Sequence, residues 1–279
     1  MIKIAILQMQ SGIDPAANLG VLRGAIGQAA AGGAGMLFTP EMSGLLDQQR
    51  SRAAGNIHPE QGDPVLAGVR EAARAHGIWV AIGSLAVEAG PGGGGGQNEV
   101  RWATRAFVID DKGKIAARYD KLHMFDVDLA DGESWRESNA YRPGDEVVTV
   151  ETPVGRLGLT ICYDLRFPAI FDALGRAGCD VIAIPAAFTA PTGKAHWHVL
   201  QRARAIEASA YVVAAAQVGR HEDGRTTYGH SLVVDPWGET LLDLGGEKTG
   251  LGFATIDPER IASVRRQLPS LANRRRIAK

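Results

Sequence analysis

A carboxylate, an amine and a thiol occupy equivalent places in three separate segments of the chain. Glu41, Lys121 and Cys162 each come just after an apolar run that is typical of a β-strand. In α/β folds, ligands bind at the edge formed by the C-terminal ends of the strands. We therefore expect these three side chains to lie at one edge and to form a single reactive site.

These residue types would together perform covalent hydrolysis. A thiol with a pKa near ~8.5 is mostly protonated at neutral pH, so it needs a base before it can attack. A partly desolvated Glu41 can take that proton and later return it to a leaving amine. The Lys121 ammonium favours the thiolate and stabilises an oxyanion, for which the backbone N–H of Tyr163 is a second donor.

Other interpretations of the same residues remain open. Taken singly, Cys162 is typical of a small buried apolar residue, and Glu41 and Lys121 are typical of surface charges. A papain-like pair of Cys162 with His230 is a rival mechanism.

A metallohydrolase built on histidines is a further alternative. His196 and His198 are two residues apart, which places them on different faces of a helix, and the chain has no HExxH spacing. We expect no metal site. His123 and His230 are assigned hydrogen-bonding or structural roles, and Cys179 is assigned to packing.

The composition excludes several classes of protein. The chain has 279 residues, 45% of them apolar, with 30 Lys+Arg against 31 Asp+Glu and two cysteines. It is too apolar for disorder and has too few cysteines for a disulfide framework. Its near-neutral charge argues against a protein held on nucleic acid by phosphate contacts. The arginines after residue 264 are expected to form a solvated tail or a dimer arm.

Two observations bear on location. No segment reaches the ~18 apolar residues of a membrane span. The sequence begins at once with a strand-like segment and no signal-peptide pattern. We expect a cytoplasmic protein without membrane or nucleic-acid partners.

Apolar patterning predicts alternating strands and helices. The predicted strands are Lys3–Gln8, Met36–Thr39, Ile78–Val87, Trp102–Ile109, Ile115–Tyr119, Val147–Val150, Leu157–Ile161, Val181–Ile184, Val212–Ala216, Ser231–Val234 and Gly252–Ile256. Helices are predicted to start near Pro15, Pro64, Phe167 and Ala195, with Asp63 as a good N-cap before Pro64. Several strands are continuously apolar, as strands covered on both faces should be, which predicts layered α/β architecture. The glycines at 92–96 predict a flexible surface loop between two strands.

Three blocks carry a resemblance to a known family. They are residues 38–41 (FTPE), 118–128 (RYDKLHMFDVD) and 158–168 (GLTICYDLRFP). In order and spacing they resemble the nitrilase superfamily of carbon–nitrogen hydrolases, and the resemblance runs from residue 2 to about 276. It implies a four-layer α-β-β-α sandwich, usually dimerised so that the sheets of two units continue through the interface.

The resemblance also assigns roles to residues. It implies that Glu41 is the general base, Lys121 the oxyanion-stabilising lysine and Cys162 a nucleophile that forms a thioester. Glu137 matches the family's second glutamate, with Glu133 as a nearby competitor. No metal or organic cofactor is implied.

Further blocks resemble the Nit-type amidase branch, whose members hydrolyse deaminated glutathione or ω-amides of α-keto acids. These blocks lie at 194–197 (KAHW), 201–207 (QRARAIE), 211–221 (YVVAAAQVGRH) and 228–238 (YGHSLVVDPWG).

The substrates of this branch carry a carboxylate, so a cation is expected in the pocket. Arg166 is the first candidate, since a guanidinium binds a carboxylate bidentately, although an ion pair with Asp164 or Glu207 is an alternative. Phe188 and Thr189 are predicted to wall the site, with plain core packing as the alternative for Phe188.

The sequence departs from the family pattern at three places. His198 stands where many relatives carry glutamate, and Thr104 where they often carry asparagine. Residues 42–44 (MSG) differ from relatives next to the predicted base. These departures affect the predicted substrate and leave the three reactive residues intact.

We therefore predict a cysteine-dependent amidase that acts on a small carboxylate-bearing amide and releases ammonia. An N-carbamoyl amino-acid hydrolase or a nitrilase is an alternative within the superfamily, and a catalytically silent binding scaffold is an alternative from another class. We expect one domain over residues 1–279, with a C-terminal helix and tail from about residue 258 at an oligomer interface. A homodimer or a higher homo-oligomer is expected.

Overall fold

Two large β-sheets form the centre of the fold in a computed structural model of the chain, which describes residues 1–91, 100–128, 132 and 134–275. The first sheet, in spatial order, contains β17 (Gly250–Ile256), β1 (Ile2–Gln8), β2 (Met36–Phe38), β4 (Trp79–Pro91), β5 (Val100–Ile109) and β6 (Ile115–Asp120), with β3 (His58–Pro59) also paired to β4. Strands β1, β2 and β4 are parallel to one another, whereas β17, β5 and β6 join antiparallel.

The second sheet has the same mixed character. In spatial order it contains β16 (Thr240–Asp243), β15 (Leu232–Val234), β12 (Tyr211–Ala214), β11 (Val181–Ala183), β10 (Gly155–Leu159) and β9 (Thr149–Thr152). Its middle strands β10, β11 and β12 are parallel. Two small hairpins stand apart, β7 (Asp126–Asp128) with β8 (Ser134–Arg136) and β13 (Val218–Arg220) with β14 (Thr226–Tyr228).

Helices cover the outer faces of both sheets. The helices among the described residues are α1 (Pro15–Ala31), α2 (Arg50–Ala53), α3 (Pro64–His76), α4 (Pro168–Arg176), α5 (Ala190–Ala208) and α6 (Pro258–Gln267), with short 3₁₀ helices at Ala54–Asn56, Glu60–Gly62, Glu137–Asn139 and Cys162–Arg166. Among the described residues, no helix is both long and apolar enough to cross a bilayer.

The layer order follows from the two-residue period of the strands. In β1, Ile4 and Ile6 join the core that also contains the second sheet, whereas Ala5 and Leu7 join the core that contains residues of α1 and α3. Helices α4 and α5 pack against each other, and α5 lies on β12 and β15 of the second sheet. The predicted four-layer α-β-β-α sandwich is confirmed.

The predicted helix starts are confirmed with one shift. Asp63 accepts a hydrogen bond from the backbone N–H of Leu66 at 2.7 Å, so it caps α3 as predicted. The helix expected near Phe167 begins at Pro168, but the one expected near Ala195 begins at Ala190. Helix α5 starts early because Pro191 occupies its first turn, where a missing N–H costs nothing.

Every predicted strand overlaps an observed strand. The observed β9 starts two residues after the predicted Val147–Val150, β10 starts two residues before the predicted Leu157–Ile161, and β4 runs on to Pro91. The hairpins β7–β8 and β13–β14 and the edge strand β16 were not predicted, because short half-exposed strands carry little apolar alternation. The glycines at 92–96 lie outside the described residues.

The C-terminal segment packs against its own chain as far as the structure describes it. Arg265 pairs with Asp180 at 3.2 Å, and Arg274 pairs with Asp172 at 2.9 Å. These two arginines therefore belong to internal contacts of the fold. Whether the segment also meets a second copy stays a prediction.

Candidate active site

Glu41, Lys121 and Cys162 line one cavity at an edge of the sandwich. Glu41 comes three residues after β2, Lys121 directly follows β6, and Cys162 comes three residues after β10. Two of these strands belong to the first sheet and one to the second. The structure thus brings together the three side chains that the sequence singled out.

Lys121 lies between two carboxylates. Its Nζ is 2.9 Å from Glu41 Oε1, 2.9 Å from Glu137 Oε2 and 3.2 Å from Glu137 Oε1, and the residue is only 2% exposed. Burial alone would lower the pKa of Lys121, but the charges of Glu137 and Glu41 outweigh it and hold this pKa well above its ordinary value. The ammonium therefore stays charged at neutral pH.

Glu137 is fixed by groups other than the lysine. Its Oε2 accepts a hydrogen bond from the backbone N–H of Phe125 at 2.7 Å, and its Oε1 accepts one from the Thr104 hydroxyl at 3.1 Å. Thr104, one of the predicted departures from the family pattern, thus contacts this glutamate directly. Glu133, the competing candidate, lies outside the described residues.

The loop that carries Glu41 is held by backbone contacts on both sides. Glu41 Oε2 accepts from the backbone N–H of Ala187 at 2.8 Å, and the Glu41 carbonyl accepts from Gln217 Nε2 at 2.9 Å. Next to it, Met42 has a positive φ of 56°, and its N–H donates to the Ser84 hydroxyl at 2.8 Å. Sequence patterning gave no signal for Gln217 or Ala187, because their role depends on contacts between distant segments.

Gly83 allows this loop to approach β4. A Cβ at this position would lie 2.2 Å from the Thr39 carbonyl oxygen, 2.4 Å from that of Pro40 and 2.4 Å from Pro185 Cβ. Only a residue without a side chain fits there. The backbone before Glu41 and the loop after β11 meet at this one glycine.

Cys162 begins a 3₁₀ helix in a strained conformation. Its φ is +48°, its N–H donates to the Pro185 carbonyl at 2.8 Å, and it is 7% exposed. Its thiol faces the Glu41 carboxylate. Burial and then the Glu41 charge raise the pKa of Cys162 well above its ordinary value, and Lys121 acts in the opposite direction. The resting nucleophile is therefore a thiol with its base already in contact.

Asp164 ties the cysteine turn to the lysine strand. This fully buried carboxylate accepts from the Tyr119 hydroxyl at 2.7 Å and from the backbone N–H of Ile161 at 2.8 Å, and it lies 2.7 Å from His123 Nδ1. Tyr119 and His123 flank Lys121 in sequence. One carboxylate thus fixes the segments of both Lys121 and Cys162.

The cavity has a volume of about 400 Å³, and its lining combines charged and polar side chains with six aromatic ones. The aromatic lining residues are Trp102, Phe125, Trp135, Tyr141, Tyr163 and Phe188. Thr189 also lines it, so the predictions that Phe188 and Thr189 wall the site agree with the structure. The described lining also contains the arginines Arg50, Arg136 and Arg225.

Arg166, in contrast, is absent from the described cavity lining. Its guanidinium lies over the Phe188 ring, 5.2 Å from the centroid, and its Nη1 is 3.3 Å from His196 Nδ1. The 3₁₀ turn that begins at Cys162 directs this side chain behind the wall. Arg166 does not form the alternative ion pairs with Asp164 or Glu207 either. Asp164 contacts Tyr119 and His123, and Glu207 pairs with Arg204 at 2.7 Å.

Arg225, unlike Arg166, belongs to the cavity lining. It lines the cavity, stacks over the Trp135 ring at 5.1 Å and pairs with Asp223 at 2.7 Å. Arg225 lies on the β13–β14 hairpin, which was not predicted, so sequence patterning could not place it near Cys162.

The histidines lie away from the reactive centre. No histidine lines the cavity in the part of the chain that the structure describes. His230 instead contacts Asp243, so the structure does not support a Cys162–His230 pair. His198, His230 and Asp243 do form a group whose ligand atoms could hold a metal ion.

Cys179 has the packing role that was predicted for it. It is fully buried. Burial raises its pKa to about 12, so its thiol stays protonated and unreactive at neutral pH.

Comparison with known proteins adds independent findings. The profile of the carbon–nitrogen hydrolase family matches residues 3–266. The chain is 39% identical over 278 residues to a deaminated glutathione amidase of Yersinia enterocolitica, covering 99% of this chain and 93% of that protein.

Solved structures agree with the sequence matches. The Caenorhabditis elegans NitFhit protein superposes with a TM-score of 0.88 at 35% identity, covering 98% of this chain and 65% of that one. A mutant amidase from Nesterenkonia sp. AN1 superposes with a TM-score of 0.78 at 26% identity, covering 96% and 98% of the two chains. In that protein, acrylamide has added to the active-site cysteine.

Proposed function

The chain belongs to the carbon–nitrogen hydrolase family, and from this membership we propose that it is a cysteine-dependent amidase that releases ammonia from a small carboxylate-bearing amide. The observation that carries the proposal is the contact set of Lys121, whose ammonium bridges Glu41 and Glu137 in the same cavity as the Cys162 thiol. A base, a thiol and a fixed positive charge are the groups that acyl transfer to sulfur requires.

The first half of the reaction forms a thioester. Glu41 takes the thiol proton as the sulfur of Cys162 attacks the amide carbonyl carbon, which gives a tetrahedral intermediate with a negatively charged oxygen. Glu41 then donates that proton to the amide nitrogen, the carbon–nitrogen bond breaks and ammonia leaves. The acyl group remains on sulfur.

Lys121 and the backbone N–H of Tyr163 are assigned to the oxyanion. The Lys121 ammonium is already oriented by two carboxylates in a buried place, so it needs little reorganisation when negative charge develops. Tyr163 lines the cavity directly after the nucleophile. Glu137 acts by orienting Lys121 and by neutralising its charge in the resting site.

The second half regenerates the enzyme. Glu41 removes a proton from water, the hydroxide attacks the thioester carbon, and the carbon–sulfur bond breaks as sulfur recovers the proton from Glu41. The product is the free carboxylic acid. One glutamate thus serves as base and acid in both halves.

Arg225 is assigned to the substrate carboxylate. It lies in the cavity wall and is held in place by Trp135 and Asp223. A guanidinium fixed in this way can bind a carboxylate through two parallel hydrogen bonds. Deaminated glutathione, which gives the Yersinia relative its name, is the first substrate to test.

An ammonia-release panel tests the function. It compares deaminated glutathione, α-ketoglutaramate, N-carbamoyl amino acids and simple nitriles. We expect amide turnover that falls by at least about 10³-fold in Cys162→Ala and Cys162→Ser, because both remove the attacking thiolate. A fully active Cys162→Ala enzyme would overturn the mechanism. A preference for carbamoyl compounds or nitriles would change the substrate class, and no release from any compound would favour a binding scaffold.

The cytoplasm and a homodimeric state are also part of the proposal. Both cysteines are unpaired thiols, and a nucleophilic thiol keeps its activity best under reducing conditions. Exposed apolar side chains on α5 and on the β15–β16 turn support a dimer interface.

A further inference from the structure

Two histidines and an aspartate from three separate elements converge away from the described cavity lining. His198 lies on α5, His230 on the link between β14 and β15, and Asp243 at the end of β16. His198 Nε2 is 2.9 Å from Asp243 Oδ2, and His230 Nδ1 is 3.0 Å from Asp243 Oδ1. One nitrogen or oxygen from each residue falls within 4.8 Å of the others.

The backbone holds this cluster in place. The His230 N–H donates to the Gly245 carbonyl at 2.8 Å, and the His230 carbonyl accepts from Trp197 Nε1 at 2.8 Å. His230 is also one of the few non-glycine residues with positive φ, at 56°. The Gly245 N–H donates to Asp243 Oδ1 at 2.8 Å, which orients the carboxylate.

Aromatic packing fixes the two imidazole rings. The Tyr228 ring stacks on His230 with centroids 4.4 Å apart, and its edge meets the His198 ring at 6.0 Å. The side chains of His198, His230 and Asp243 are each between 24% and 37% exposed. The cluster is therefore both ordered and open to a solute.

From this geometry we propose that His198, His230 and Asp243 bind a divalent transition metal ion, with Zn²⁺ as the best match. Two imidazole nitrogens and one carboxylate oxygen form a known three-residue zinc ligand set, with a fourth position left for water. Donor atoms around tetrahedral zinc lie about 3.4 Å apart, given bonds of roughly 2.0–2.1 Å. Small side-chain rotations bring the observed donors to that spacing.

The hydrogen bond from Gly245 to Asp243 Oδ1 supports this assignment. It leaves Oδ2 to face the ion and provides the outer contact that orients a metal-binding carboxylate. Binding requires both imidazoles to be neutral, with their protons on the nitrogens that face away from Asp243. The alternative to a metal site is a cluster in which His198 and His230 are only hydrogen-bonded to Asp243.

Nothing in the spacing of positions 198, 230 and 243 predicts this site. Metal motifs are recognised when ligands are close in sequence, whereas these ligands come together only when α5 packs near β15 and its neighbouring strand.

Calorimetric titration with Zn²⁺ tests the proposal. The protein is first treated with chelator, and Cys162→Ala serves as background so that the nucleophilic thiol cannot bind zinc. We expect one site with a dissociation constant of about 10 µM or below. In His198→Gln, His230→Asn and Asp243→Asn the affinity should fall by about 100-fold. Asparagine suits position 230 because it tolerates positive φ.

His76→Asn is the matched control, since this exposed histidine lies on α3 and belongs to a different face. It should retain full zinc affinity. Circular dichroism confirms that each variant is folded, and Co²⁺ absorption in the visible range reports tetrahedral coordination independently. Zinc binding that is absent from the background protein, or that is unchanged in all three cluster variants, overturns the proposal. Ammonia release by the parent enzyme is measured separately and does not enter this test.

Discussion

At the scale of single residues, the charge on Glu41 opposes formation of the thiolate that Glu41 itself must generate. Its carboxylate accepts the thiol proton, but its negative charge raises the pKa of Cys162. Lys121 acts in the opposite direction and stays charged between its two carboxylates. The site thus keeps sulfur protonated until a substrate is present, which protects a buried thiol from unproductive reactions.

The Glu41→Gln substitution should separate these two effects. Without the anion, burial still raises the pKa of Cys162, but the charge of Lys121 is no longer opposed by that of Glu41, so this pKa should fall. Iodoacetamide should then alkylate Cys162 at lower pH than in the parent, as followed by mass spectrometry across a pH series. Amide turnover should be lost, because no group accepts the thiol proton. An alkylation midpoint that stays constant or rises would contradict this account.

The Thr104 hydroxyl is predicted to position Glu137. Thr104→Val removes one hydrogen bond to Glu137 and should lower kcat by about 3- to 10-fold. Thr104→Asn should restore most of the rate, because an amide can donate to the same oxygen. Thr152→Val is a control, as its hydroxyl donates to the Gly155 carbonyl, and neither residue is among the described lining of the cavity. Equal losses in Thr104→Val and Thr104→Asn would argue against a positioning role.

Arg225 should act on substrate binding. For a carboxylate-bearing amide, Arg225→Gln should raise KM by about 10- to 100-fold, because a charge-assisted pair is lost. For a neutral amide such as propionamide, KM should change little. Arg225→Lys keeps a positive charge near the buried Asp223. Comparison of this variant with Arg225→Gln separates weaker substrate binding from lower stability of the fold. A KM that rises equally for both substrates would remove Arg225 from this role.

At the scale of elements, tight contacts between loops set the geometry of the site. Gly83→Ala would push the Thr39–Pro40 backbone or Pro185 away by about 1 Å, which should reduce kcat/KM by about 100-fold. Gly24→Ala is the matched control, since a Cβ there meets nothing within 4 Å in α1. Ammonia release and thermal unfolding are measured for both variants. Normal turnover in Gly83→Ala would show that the loop tolerates displacement.

The sequence predicted the parts of the site that lie at the ends of strongly apolar strands. Glu41, Lys121 and Cys162 could be located because runs before them define strand ends, and α/β folds bring such ends together. Arg225 and Gln217 could not, because one lies on a short hairpin and the other acts through a contact with a segment 176 residues away. Arg166 was predicted to lie in the pocket but is absent from the described lining. The number of residues between Cys162 and Arg166 does not determine where the Arg166 side chain points in a 3₁₀ turn.

At the scale of the whole molecule, exposed apolar side chains support self-association. Ile206 on α5 is 42% exposed and Trp237 on the β15–β16 turn is 50% exposed, and Ile206 packs beside Gly238. We expect analytical ultracentrifugation to show a dimer that Ile206→Asp or Trp237→Arg dissociates. Val21→Asp, on the exposed face of α1, should leave the mass unchanged. A monomeric parent would contradict the proposal, and a dimer that survives both substitutions would place the interface elsewhere, such as the C-terminal segment.

The division of the reactive residues between two sheets has a consequence for synthesis of the chain. Glu41 and Lys121 follow strands of one sheet, Cys162 follows a strand of the other, and the first sheet is completed by β17 near the C-terminus. On the ribosome, the thiol therefore emerges long after its base, and the partner strand of β1 emerges later still. A nascent chain therefore carries an ordinary cysteine, and the arrangement of Glu41, Lys121 and Cys162 that amide hydrolysis needs forms only when the two halves of the sandwich have closed on each other.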